Sequence, residues 1–159
     1  MTPYIVREQS WSNVSTWGVY TWGTALNGPV IQGAVASLGP GYNDIAAPNR
    51  DHQYRDRDCG NFYLDSWETV ANSSARLVTL ETWIELHEGT DIAATLEYGR
   101  TYIDLTAQNV QKWKSGASSY STSLMVWLDF GQPLYSHGLY PAFNYYPDNP
   151  AVRCSPAPG

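Results

Sequence analysis

Between closely spaced glycines and prolines, the apolar residues of this chain alternate in parity more often than they recur every three or four positions. Alternation is the mark of a strand with one buried face, because successive side chains leave a strand on opposite sides. With 13 Gly and 10 Pro in 159 residues, turns are frequent enough to separate many short strands. The pattern predicts an all-β fold, an antiparallel β-sandwich or jelly roll with at most one or two short helices; a closed β-barrel is the alternative. The length suits a single domain over 1–159, with 155–159 a frayed tail.

The expected strands are Tyr4 to Glu8, Ser15 to Trp22 and Pro29 to Leu38, with Asn27-Gly28 as a turn. The polar stretch from Gly39 to Asp58 reads as a long loop with room for a short edge strand. From Val78 to Glu88 the residues Val78, Leu80, Ile84 and Leu86 share one parity, which fits a strand better than a helix. Ile92 to Thr106 reads as a strand bent at Gly99, and Tyr120 to Phe130 places Leu124, Val126, Leu128 and Phe130 on one face. Two short helices are expected, one over Ser66 to Asn72 and one from Thr106 through Trp113, ended by Gly116.

Charge narrows the partners. Nine basic against fifteen acidic residues give a net charge of −6, too little cationic material for a nucleic-acid face or an anionic membrane. No apolar run approaches the ~18 residues of a membrane span. Scarce lysine, sequons at Asn13 and Asn72, and two distant cysteines, Cys59 and Cys154, point to a secreted or cell-surface chain with one disulfide. No charged-then-apolar leader precedes Tyr4, so a signal peptide was removed or never existed.

Seven Trp and twelve Tyr stand against three Phe, rings that suit boundaries between a packed interior and a polar ligand. On the parity opposite the core, the 78–88 segment presents Thr79, Glu81, Trp83, Glu85 and His87, and the 120–130 segment presents Trp127 and Asp129. A flat ring beside carboxylates is what sugar recognition requires: a platform for a pyranose face and acceptors for its hydroxyls. The same residues also fit an ordinary solvated sheet face, or tryptophans covered by a second layer. A second aromatic patch, Tyr140, Tyr145 and Tyr146, serves either as adhesive surface or as a staple for a long loop.

The leading expectation is a non-catalytic, lectin-like module that binds a glycan or other small polar ligand through Trp83, Trp127, Glu81, Glu85, His87 and Asp129. The alternatives are a membrane-active toxin of the β-sandwich kind, a small glycan hydrolase with paired carboxylates, and a homo-oligomeric assembly subunit. On one strand Glu81 and Glu85 would lie about 13 Å apart at ~3.3 Å per residue. A glycosidase pair is about 5 to 9.5 Å apart, so a hydrolase would draw its partner from Asp129 or Glu97. Neither cofactor nor metal is expected: Asp56 and Asp58 start a calcium-loop order that Cys59-Gly60 breaks, and His52, His87 and His137 lack zinc spacing. The charged window from Arg50 to Asp58 reads as surface ion pairs, or as a grip for an acidic glycan group.

Overall fold

The computed structural model describes residues 6–8, 16, 18–45, 47–95 and 98–116. Its elements are β1 (Val6–Glu8), β2 (Gly18–Tyr20), α1 (Thr24–Asn27), β3 (Val30–Gln32), β4 (Val35–Leu38), β5 (Tyr42–Asn43), β6 (Tyr54–Arg55), α2 (Asn61–Ala71), β7 (Leu77–Leu80) and α3 (Thr101–Ser115). The fold is mixed α/β with small sheets, and the all-β sandwich, like its barrel alternative, is overturned.

The physical reason lies in β4. Val35, Ala36, Ser37 and Leu38 are all buried, so the strand has no solvated face and shows no alternation. That is the habit of a parallel strand covered on both sides. Indeed β4 pairs in parallel with β7, Val35 beside Leu77 and Leu38 beside Leu80. Parallel neighbours need a long crossover, and α2 lies within it. β3 completes this sheet as an antiparallel hairpin partner of β4, while β1 and β2 form a separate parallel pair.

Helix α2 buries Tyr63, Trp67 and Val70, a stripe at i, i+4 and i+7 that faces Ala36 and Leu38 of β4. Helix α3 adds Tyr102 and Leu105, and Ile92 and Tyr98 close the same core. Tyr63 meets Trp67 and Tyr102 edge to face at centroid distances of 6.1 and 5.9 Å, the arrangement ring quadrupoles favour.

Several expected elements change. The strand expected to run to Glu88 stops at Leu80, and Ile84 and Leu86 belong to the loop that follows. Where a strand was expected over Ile92 to Thr106, the described residues before α3 form no strand beyond a bridge between Thr95 and Gly99, and α3 begins at Thr101. Both helices begin earlier than their signals, α2 at Asn61 rather than Ser66 and α3 at Thr101 rather than Thr106. The end of α3 does fall at Gly116, whose φ of 69° suits a residue without a Cβ. The expected strand over Tyr120 to Phe130 lies outside the described residues.

Candidate functional site

The strands β2, β4 and β7 end side by side. Thr21, just past β2, donates its N–H to Ser37 Oγ at 3.0 Å, and Glu81, just past β7, donates its N–H to Leu38 O at 2.9 Å. Loops at the carboxyl ends of parallel strands are where α/β proteins build their sites, because those loops converge there while the sheet holds them rigid.

Glu81 knits this edge together. Its carboxylate is buried and accepts from Gly23 N at 2.7 Å, Thr24 N at 2.6 Å, Thr24 Oγ1 at 2.6 Å and Ala25 N at 3.0 Å. It satisfies the open N–H groups at the start of α1, where negative charge is favoured. The fit is close: a Cβ on Gly39 would come within 2.5 Å of Ala25 Cβ and 2.6 Å of Glu81 O.

Residues 82–92 form a loop closed at its neck. Thr82 N donates to Thr90 O at 3.0 Å, the Thr82 and Thr90 hydroxyls lie 2.8 Å apart, and Ala93 N donates to Trp83 O at 3.0 Å. Glu85 N donates to Thr82 Oγ1 at 3.1 Å, which fixes the turn that carries the acidic residues. Trp83 is 57% exposed. Glu85 and His87 are half-exposed, with Glu85 Oε1 3.9 Å from His87 Nδ1.

The loop is anchored by β5 and by the residues after β6. Asn43 N donates to Glu88 O at 2.7 Å, and Arg57 donates to Gly89 O at 2.8 Å. The Arg57 guanidinium is buried, 3.4 Å from Asp91 Oδ1, and lies 4.1 and 4.3 Å from the ring centroids of Tyr98 and Tyr102. Such cation–π contacts gain strength when desolvated. Arg50 donates to the Glu88 carboxylate and, at 2.9 Å, to the Tyr42 hydroxyl, which sits 3.3 Å from Asp44 Oδ2. Burial, followed by the charge of Glu88, pushes the Tyr42 hydroxyl up from its ordinary pKa. A protein oxygen-rich rim of this kind donates and accepts hydrogen bonds at neutral pH, with a ring for stacking at one side.

The sequence-derived residues are thus distributed as follows. Trp83, Glu85 and His87 share the loop, and Glu81 lies beneath it. Trp127, Asp129, Tyr140, Tyr145, Tyr146, Glu97 and Cys154 lie outside the described residues. Cys59 stands in the 3-10 turn that leads into α2, and the Asp56 carboxylate accepts from Asp58 N at 2.8 Å. Among the described residues, no group of three or more His, Cys, Asp or Glu is placed to hold a metal ion, and no helix is long and apolar enough to cross a membrane. Arg50 and Arg57 fell within the charged window read as ion pairs or a glycan grip, while Glu88 and Tyr42 were missed as site residues. Their signal was the pair of turns, Gly39-Pro40-Gly41-Tyr42 and Glu85-Leu86-His87-Glu88-Gly89, each closing an apolar run.

Fold and site together define an α/β protein with a loop-built polar site at the carboxyl ends of its parallel strands. The chain belongs to the family described as Domain of unknown function (DUF5010), which matches residues 1–126. It is 29% identical over 102 residues to a glycoprotein endo-alpha-1,2-mannosidase-like protein of Danio rerio, a match that covers 59% of this chain and 23% of that relative. Two structures of the GH99 endo-alpha-mannosidase of Bacteroides thetaiotaomicron resemble it at 26% and 27% identity, each with a TM-score of 0.43. These matches cover 52% and 54% of this chain, and 31% and 29% of the solved chains.

Proposed function

We propose that this chain supplies the reactive loop of a glycan hydrolase acting on α-linked mannosides, with Glu85 and Glu88 as its carboxyl pair and Trp83 as a sugar platform. The carrying observation is the 82–92 loop, which presents an exposed indole and two acidic side chains at the carboxyl end of a parallel strand. The name of the Danio rerio relative supports an α-mannoside as substrate class.

Hydrolysis of a glycosidic bond needs two carboxyl groups in complementary states. One gives its proton to the leaving oxygen as the bond from that oxygen to the anomeric carbon breaks. The oxygen of a water molecule bonds to that carbon, either directly or by displacing the enzyme carboxylate from a covalent glycosyl intermediate that this carboxylate first formed, and the water's proton passes to a carboxylate. Arg50 orients the Glu88 side chain, and the Thr82 hydroxyl holds the backbone of Glu85.

The test is release of reducing sugar from an α-1,2-linked manno-oligosaccharide. Glu85→Gln and Glu88→Gln are each expected to lower turnover by about a hundredfold or more, the scale of acid–base catalysis, and Trp83→Ala to weaken binding. A lectin-like role shares the Trp83 platform and needs no reactive carboxyl. Sugar binding by the wild-type protein with no hydrolysis would decide for that role and sink the hydrolase.

A further inference from the structure

Resting on that reading of the site, we infer that Trp22 is a second sugar platform on the same rim as Trp83, so that the site takes an extended glycan of several units. Trp22 is 55% exposed and Trp83 57%, two indoles left open to solvent although each would gain from burial. Trp22 lies in the turn after β2 and Trp83 in the loop after β7, at the strand ends that meet.

One buried side chain joins the two turns. Gly23, the neighbour of Trp22, donates its N–H to Glu81 Oε1 at 2.7 Å, and Glu81 stands two residues before Trp83. The platforms therefore have a fixed separation, set by a buried carboxylate rather than by mobile loops. Tyr20 packs edge-on against Trp22 at a centroid distance of 6.0 Å and 78°, which restricts the indole while leaving it open. Preordered rings lose little freedom when a ligand stacks on them, the condition for a productive subsite.

The chemistry of the loop gives the platforms different partners. Trp83 begins the segment that carries Glu85 and Glu88, so the sugar stacked there lies beside the bond that breaks. Trp22 belongs to the adjoining turn and holds a unit further along the chain. A disaccharide engages the first platform alone; a longer chain engages both.

Calorimetric titration of the full chain, with Glu85→Gln in place to keep the sugar intact, tests this with an α-linked mannose disaccharide and tetrasaccharide. The parent is expected to bind the tetrasaccharide more tightly. Trp22→Ala should weaken the tetrasaccharide on the order of tenfold and leave the disaccharide unchanged, while Trp22→Phe, which keeps a flat ring, recovers most of the loss. No loss with Trp22→Ala, or an equal loss on both sugars, overturns the second platform and leaves the hydrolase reading standing. Failure of the parent to bind either sugar overturns both, and so separates the two failures.

Discussion

A carboxylate that accepts four short hydrogen bonds from three consecutive residues is difficult to replace, even by its own amide. Glu81 does this for Gly23, Thr24 and Ala25 while buried. Glu81→Gln keeps the shape but turns an –NH2 toward groups that are themselves donors, leaving at least one buried N–H unpaired. The expected cost is about 1–3 kcal/mol. It should be visible as a lower urea midpoint at unchanged slope, because the exposed surface on unfolding stays the same. A midpoint equal to wild type would show that Glu81 contributes nothing as a clamp.

Among the elements, α2 contributes most to the interior, and its two faces should respond differently to truncation. Trp67 is fully buried against β4 and Tyr63, whereas Glu68 beside it is exposed. Trp67→Ala is expected to cost about 3–5 kcal/mol from lost burial and a residual cavity. Glu68→Ala should stay within about 0.5 kcal/mol. Chemical denaturation of both variants checks the contrast, and comparable losses would mean that α2 does not pack as described.

The same helix shows what the residue pattern could and could not reveal. Tyr63, Trp67 and Val70 hold a helical stripe, but the 3-10 turn Asp58–Gly60 before them disguises its start, so only the part from Ser66 was legible. The end of α3 at Gly116 was readable because a left-handed residue there favours glycine. Pro29 to Leu38 was readable as strand but not as the hairpin of β3 and β4, and a pattern along one strand does not say which strand lies beside it. That error turned the fold from α/β into a sandwich. Trp83, Glu85 and His87 were found together because they are neighbours in sequence, and stay together whether the segment is strand or loop. Arg50, Tyr42 and Glu88 meet only through the pairing of β4 with β7 and the turns that follow, which no local period encodes.

The whole molecule should tolerate alkali poorly, and the cause is its tyrosine core. Burial pushes the Tyr102 hydroxyl up from 10.0 to about 12, and pushes Tyr63 up as well. The unfolded chain therefore releases these protons at lower pH than the native one. Between the two values the unfolded state binds fewer protons, so stability falls as pH rises. The contribution is intact below the unfolded value of 10.0 and lost progressively toward about 12. Tyrosinate absorbance followed beside far-ultraviolet circular dichroism should show the last tyrosines ionising together with loss of helix, and Tyr102→Phe should soften the decline. Ionisation of every tyrosine in a chain that remains folded would contradict this.

Arg57 carries a different consequence. An apolar plug between Tyr98, Tyr102 and the 82–92 loop would accept those rings in many rotations of α3. A guanidinium does not, because its hydrogen bond to Gly89 O and its pairing with Asp91 fix where it sits, and the rings must come to it. Shifting α3 by one residue turns the helix through about 100° and carries Tyr102 off the cation. The charge thus specifies a single register for α3, and through Gly89 the same choice is written into the loop that bears Glu85 and Glu88.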